Sequence, residues 1–260
     1  MWSEPESYEG YIGRWSRVVA PEFLAWLHAR RNLRWLDDGC GTGELTRAIF
    51  EHNAPESVDG FDISEMYVDY ARRRTNDPRA TFAVANAQAL PCDDAVYDVA
   101  VAGLCLNAMP DQPLAVAEMM RVVKPGGIVG AYVWDFDGKM QMLTHFWDTV
   151  EALDPGAQDT SLDPLFAICK PERLAELFRA AGSHDVEVRA IDAPTVFKSF
   201  DDFWNPFLNG KAPAQRHTAS LSPERREVLR ERLQSTLPIS SHGSILLIAR
   251  AWAVKARVPH

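Results

Sequence analysis

An α/β fold, a mostly parallel sheet covered by helices on both faces, is what this sequence predicts, and three observations predict it. Residues 33–36 form a short apolar run that ends in a carboxylate; glycines then alternate at Gly39, Gly41 and Gly43, and a helical pattern (Leu45, Ala48, Ile49) follows. That order reads as strand, tight turn, helix. Further apolar runs of strand length recur between stretches of helical periodicity. The last of them, 244–254, is almost continuously apolar, as a central strand buried on both faces is.

The chain has 260 residues, 47% of them hydrophobic, and a formal charge of −9. One domain over 1–260 with a substantial core is the economical reading. The acidic balance argues against a nucleic acid as partner, because such binding needs clustered Lys and Arg. The four cysteines (Cys40, Cys92, Cys105, Cys169) show no C-x-x-C pair and no metal-ligand spacing. No metal is therefore expected, and a reducing cytoplasm fits best. The acidic N-terminus is unlike a signal peptide, and no apolar run reaches the roughly 18 residues of a membrane span.

Before the first strand, 8–17 reads Y-E-G-Y-I-G-R-W-S-R, and Val18, Val19, Phe23, Trp26 and Leu27 recur at helical spacing. Residues 1–31 thus read as an N-terminal helical cap. The glycine turn follows the first strand. Glycine is needed there because a Cβ resists positive φ and blocks a ligand lying against the backbone. The carboxyl end of a parallel strand is where small ligands bind, and Asp37 stands at that edge. The spacing G-x-G-x-G, with Glu44 in the slot of a third glycine, departs from the dinucleotide fingerprint G-x-G-x-x-G. A nucleoside ligand without phosphates fits better than a pyrophosphate.

The second strand, 57–61, ends in Asp62, about 20 residues after the glycine turn, where a carboxylate suits two ribose hydroxyls. Ser64 can cap the next helix, whose buried stripe reads as Met66, Tyr70 and Ala71. Strands follow at 81–84, 97–101 and 128–134, with a helix over 114–123 that K-P-G-G at 124–127 closes. A helix over 171–181 stopped by Gly182, a strand at 186–191 and the final strand complete seven strands. Two insertions interrupt this pattern. Residues 135–168 hold a helix (Met142, Phe146, Trp147, Val150, Leu153), and 197–239 hold an aromatic group (Phe200, Phe203, Trp204, Phe207) and a charged helix over 222–233.

L-D-D-G-C-G-T-G at 36–43 resembles the first motif of the class I S-adenosylmethionine-dependent methyltransferases, usually written L-D-x-G-C-G-T-G. R-V-V-K-P-G-G before an apolar strand is a second match. The resemblance is strong over 33–134 and looser beyond. The segment after the fourth strand, A-G-L-C-L-N, is unlike the N-P-P-Y of amino-methylating enzymes and resembles the small-molecule branch related to ubiquinone and menaquinone biosynthesis methyltransferases (methyltransferase type 11).

This resemblance implies a Rossmann-like sheet with an antiparallel last strand and S-adenosylmethionine as cofactor. The glycine turn with Cys40 would hold it, Asp62 its ribose, Ile63, Gly103 and Leu104 its surfaces, and Asn86 with Ala87 its adenine. Asn86 stands where similar enzymes carry Asp, which keeps a carbonyl acceptor and loses charge assistance. Asp38 stands where they carry an apolar residue. Tyr11 and Arg14 would reach the methionine carboxylate or, alternatively, pack and solvate. The two insertions would then form a substrate lid, in which Trp134, His145, Phe146, Trp204 and Phe207 line an apolar cavity for a small, apolar or aromatic acceptor. A general base, where one is needed, has His145, Asp135 and His242 as candidates by residue type, and spacing selects none of them. Cys105 reads as a small core residue. Two other readings stay open: a non-catalytic module binding S-adenosylmethionine or S-adenosylhomocysteine, and a nicotinamide-dependent oxidoreductase.

Overall fold

The computed structural model describes residues 11–156 and 164–260. The sheet has seven strands in the order β3-β2-β1-β4-β5-β7-β6. They are β1 (Arg34–Asp38), β2 (Ser57–Asp62), β3 (Ala80–Val84), β4 (Tyr97–Gly103), β5 (Val123–Trp134), β6 (His184–Phe197) and β7 (Ile245–Arg257). β1 pairs in parallel with β2 and β4, and so do β2 with β3 and β4 with β5. β7 runs antiparallel to both β5 and β6. The expected antiparallel last strand is therefore present, and it lies inside the sheet.

Helices α1 (Ser16–Leu27), α2 (Glu44–Asn53), α3 (Glu65–Arg74), α4 (Gln112–Val122), α5 (Gln141–Leu153), α6 (Pro171–Ala180), α7 (Phe200–Trp204), α8 (Pro213–Ser220) and α9 (Pro223–Thr236) surround it. Side chains on a strand alternate between faces, and the central strands divide accordingly between two cores. Trp35, Val99, Val101 and Tyr132 pack with Phe23 of α1 and Ile49 of α2. Leu36, Ala100, Ala102 and Val133 pack with Val116 and Met119 of α4 and Phe178 of α6.

Several boundaries differ from the sequence reading. K-P-G-G does not separate a helix from a strand, since β5 begins at Val123, directly after α4. The register jumps from Tyr97↔Val123 to Val99↔Ile128, so the extra residues bulge outward, with Gly126 at φ 75°. β6 continues to Phe197 because it pairs with β7 along the whole of that length. Its outer half alternates buried Ala193, Thr195 and Phe197 with exposed Asp192, Pro194 and Val196, a pattern that residue types alone do not mark. In α3 the buried residues are Tyr67, Val68 and Ala71, with Met66 exposed. Val68 and Ala71 meet Cys40 and Phe82 there, which turns the helix away from the expected stripe. Ser64 sits at the start of α3 without a side-chain cap, and Asp62 Oδ1 takes its N–H instead, at 2.8 Å. Of the expected cap over 1–31, residues 1–10 lie outside the described residues; a 3-10 turn at Gly13–Trp15 and α1 form the rest.

Gly39 shows how tightly the turn is packed. It has φ 75°, and a Cβ there would lie 2.6 Å from Cys105 Sγ. At Gly41, φ is 51° and the nearest atom would be 4.0 Å away. Gly39→Ala therefore carries both a left-handed backbone penalty and overpacking, roughly 3 kcal/mol together. Gly41→Ala carries the backbone term alone, about 1 kcal/mol. Urea unfolding of the two variants should reproduce that order, and equal losses would mean that the Cys105 contact gives way freely.

Candidate functional site

The site is built where β1, β2 and β4 end side by side. Gly39 N–H and Cys40 N–H both donate to the Phe61 carbonyl, each at 2.8 Å. Gly41 N–H donates to Asp62 Oδ2 at 3.0 Å. The last two residues of β2 thus hold three consecutive amides of the turn. Burial raises the Asp62 pKa, against the two backbone N–H groups that lower it. Each of its oxygens has spent one lone pair on those amides and keeps another for an incoming hydroxyl.

Asp37 and Asp38 are both 1% exposed. Asp37 Oδ2 accepts from Thr46 Oγ1 of α2 at 2.6 Å, while its Oδ1 has no partner among the described residues. Burial pushes its pKa up to about 7 even though the Thr46 bonds lower it. Asp38 has no partner on either oxygen among the described residues. Burial first, then the charges of Asp37, Asp62 and Glu118, push it up to about 8. Thr46 was not foreseen; its signal was a hydroxyl placed one turn into the helix that follows the acid.

Glu44, the first residue of α2, is held by arginines from three helices: Arg47 at 2.6 Å, Arg17 at 3.3 Å and Arg74 at 3.9 Å. Its charge is compensated locally, so it is not what disfavours a pyrophosphate here. The Asp62 carboxylate at the end of β2 carries that argument instead.

Around this edge, Ile63 is 59% exposed. Leu104 adopts φ 60° and is held there by its N–H to the Tyr132 carbonyl at 2.8 Å. A left-handed leucine is strained, and such strain persists only where neighbours enforce it. Gly103 ends β4 beside the Tyr132 ring. Asn86 is exposed and spends one carbonyl lone pair on Gln88 N–H at 3.0 Å; Ala87 beside it is partly buried. Cys105 donates to the Asp38 carbonyl at 3.1 Å, and burial raises its thiol well above the usual range, as suits a core residue.

The residues expected to reach over the cofactor are engaged elsewhere. Arg14 Nη1 binds Asp202 Oδ1 at 3.0 Å, and its guanidinium lies 4.7 Å from the Phe197 ring centre. That partner comes from the other end of the chain, while Arg14 Nε and Nη2 are buried without a partner among the described residues. Tyr11 is buried edge-on against Phe207 at 5.8 Å. The aromatics expected to line a cavity largely cover one another. Phe146 stacks on Phe207 at 4.5 Å, and Trp204 meets Phe207 at 6.2 Å. Phe146, Trp204, Phe207 and Trp134 are all buried; Trp134 Nε1 has no partner among the described residues. His145 is half-buried, and burial lowers its pKa. Asp135 is buried and takes Lys139 N–H at 3.1 Å, and His242 is exposed. Part of the expected 135–168 insertion, 157–163, lies outside the described residues.

Among the described residues no group of His, Cys, Asp and Glu could hold a metal ion, the four cysteines are free thiols, and no helix is long and apolar enough to cross a membrane.

Residues 36–131 match the family described as "Methyltransferase domain". The chain is 27% identical over 157 residues to malonyl-[acyl-carrier protein] O-methyltransferase of Pectobacterium atrosepticum, covering 60% of each chain. It is 32% identical over 176 residues to 2-methyl-6-phytyl-1,4-hydroquinone methyltransferase of Synechocystis sp., covering 66% of this chain and 54% of that one. It thus spans somewhat over half the length of these relatives. In fold it resembles the crystal structure of a putative methyltransferase from Bacillus halodurans, with a TM-score of 0.60 at 16% identity over 93% of this chain and 99% of that one.

The raised pKa values of Asp37 and Asp38 have a consequence for stability. The unfolded chain ionises such acids near pH 4 (roughly). The stability carried by their neutral folded forms is fully present below that pH and is lost as pH rises through about 7 and about 8. Urea unfolding of the ligand-free chain should show stability falling from about pH 4 to about pH 8 and levelling off above that, and Asp38→Asn should flatten the fall by up to about 1.4 kcal/mol per pH unit. Equal slopes in the two proteins would show that the Asp38 carboxyl is already ionised in the folded chain.

Proposed function

We propose that the chain, whose residues 36–131 match the methyltransferase domain family, transfers the methyl group of S-adenosylmethionine to a small apolar or aromatic acceptor. The observation that carries this reading is the shared end of β1 and β2. Asp62 joins the glycine turn through Gly41 N–H and keeps lone pairs for a ribose diol. Asp37 Oδ1, buried and without a partner among the described residues, suits the ammonium of the methionine moiety. Ile63 and Leu104 offer apolar faces to the base, with Asn86 and Ala87 at its edge. These residues fit the cofactor, and Asp62 at the strand end fits a cationic sulfonium better than a phosphate. The antiparallel β7 also removes support from a nicotinamide-dependent oxidoreductase.

Bound in this way, the cofactor would supply a methyl group on a good leaving group. What this chain has to do is align an acceptor in line with that methyl and exclude water. Trp134 at the end of β5 and the aromatic residues of α5 and α7 stand at this end of the sheet, and the segments 135–168 and 197–239 would serve as its lid. The Synechocystis relative's name, a hydroquinone methyltransferase, supports testing phenolic and quinol acceptors first.

Titration calorimetry with S-adenosylhomocysteine tests the reading. Wild type should bind, and Asp62→Ala, checked for native circular dichroism, should bind at least about 100-fold more weakly, since two hydrogen bonds to a charged acceptor are removed. Incubation with S-adenosylmethionine and hydroquinones should then yield methylated product. A folded wild type that binds no S-adenosylhomocysteine would overturn the proposal.

A further inference from the structure

Asp38 closes β1 with a carboxyl that the cofactor contacts above leave unused. It is 1% exposed, and neither oxygen has a hydrogen-bond partner among the described residues. Folded proteins leave few such groups, because a buried polar atom without a partner is costly.

Its place in the sheet narrows what the partner is. Neighbouring strand side chains point to opposite faces, so Asp38 looks away from Asp37 and from Thr46 of α2. It shares the face of Leu36, where Phe61, Leu90, Leu106 and Met109 are packed. Glu118 of α4 is close enough to act on its charge, and Glu118 Oε2 accepts the Leu90 N–H at 2.8 Å. The Asp38 carboxyl therefore lies among the end of β2, the segment from Asn86 to Leu90, and α4. Asn86, which the cofactor reading sets at the edge of the base, begins that segment.

We propose that Asp38 is a base-recognition residue, whose carboxyl hydrogen-bonds the adenine edge of the cofactor together with Asn86. The proposal rests on the cofactor reading of the preceding subsection. The adenine edge sets an amino donor beside a ring-nitrogen acceptor. A neutral carboxyl sets a carbonyl acceptor beside an O–H donor, which matches it; an ionised one can only accept. The surroundings favour the neutral form. The acids acting on Asp38 are Asp37 beside it on β1, Asp62 at the end of β2 and Glu118 from α4, and the Arg121 guanidinium is committed to Glu118 at 2.7 Å. The thiols of Cys40 and Cys105 nearby are held neutral by burial. Asn86 has already given one carbonyl lone pair to Gln88 N–H, so a second polar group on the base adds recognition that the amide alone supplies only in part.

The test compares S-adenosylhomocysteine with its purine-riboside analogue, in which hydrogen replaces the amino donor and the neighbouring ring acceptor is kept. Calorimetry on wild type, Asp38→Asn and Asp38→Leu should show wild type preferring the adenosyl compound. Asp38→Asn, which keeps a donor beside an acceptor, should preserve that preference, and Asp38→Leu should reduce it by about tenfold or more. Raising the pH from about 6.5 to about 9 should weaken wild-type binding by about threefold or more, as Asp38 ionises, and leave more of the binding of Asp38→Asn intact. The Asn variant retains every other titrating group, the ligand's own amino group included. An unchanged preference in Asp38→Leu, or the same pH loss in Asp38→Asn as in wild type, would overturn the proposal while leaving the cofactor reading in place. Absence of S-adenosylhomocysteine binding by wild type would overturn both. Should the Leu variant fail to fold, the pH comparison with Asp38→Asn decides alone.

Discussion

The end of β2 clamps the glycine turn, and much of the site's geometry depends on that clamp. One carbonyl, of Phe61, takes two successive amides, and the carboxylate of Asp62 takes the third. To present three N–H groups to one strand end, the chain must pass through left-handed conformations, which glycine tolerates and other residues resist. The turn then lies so close to the end of β4 that Cys105 fills the space a side chain at Gly39 would need. The Cys105 thiol in turn reaches the carbonyl of Asp38. Local backbone preference, strand register and one small side chain therefore specify the same arrangement, which is the mutual consistency expected of a well-specified fold.

Electrostatics divides this region into two unlike halves. Glu44, at the start of α2, is surrounded by guanidinium groups from three helices, and its charge does structural work by joining those helices. Asp37 and Asp38 are buried without any such cation, and their pKa values rise accordingly. Burial of an unpaired carboxyl opposes folding unless the group stays neutral or gains a partner. A chain that places two of them side by side, at the end of the sheet where ligands bind, holds part of its stability in reserve for what binds there.

How much was legible in the sequence follows from how local each feature is. The glycine turn, the strand ahead of it and the position of Asp62 are set within about 30 residues, the scale of one βαβ unit, and pattern reading reached them. The apolar run of β1 was legible for the same reason, while its division into Trp35 on one face and Leu36 on the other came with the sheet. The partner of Arg14 was not, because Asp202 lies 188 residues away and nothing in either local segment announces the pairing. The stripe of α3 was displaced because its orientation is decided by Cys40 and Phe82, which belong to other elements. The outer half of β6 was missed because Pro194 and its exposed neighbours read as a loop until β7 supplies the pairing.

The aromatic residues show the same limit in energetic form. Their spacing announced a cluster but could not say whether the rings face a cavity or one another, since both outcomes bury the same surface. In the folded chain Phe146, Phe203, Trp204 and Phe207 meet ring to ring, and each such contact adds about 0.5–1.5 kcal/mol beyond burial. The Arg14–Asp202 pair that ties this cluster to the N-terminal segment is partly exposed, with side chains 27% and 30% accessible, a class of contact worth at most about 1 kcal/mol. The cluster is therefore held together more strongly than it is held to Arg14. The N-terminal segment is also joined to these rings by Tyr11 against Phe207 and Trp15 against Phe197, so the ion pair adds to aromatic contacts that already hold the two together.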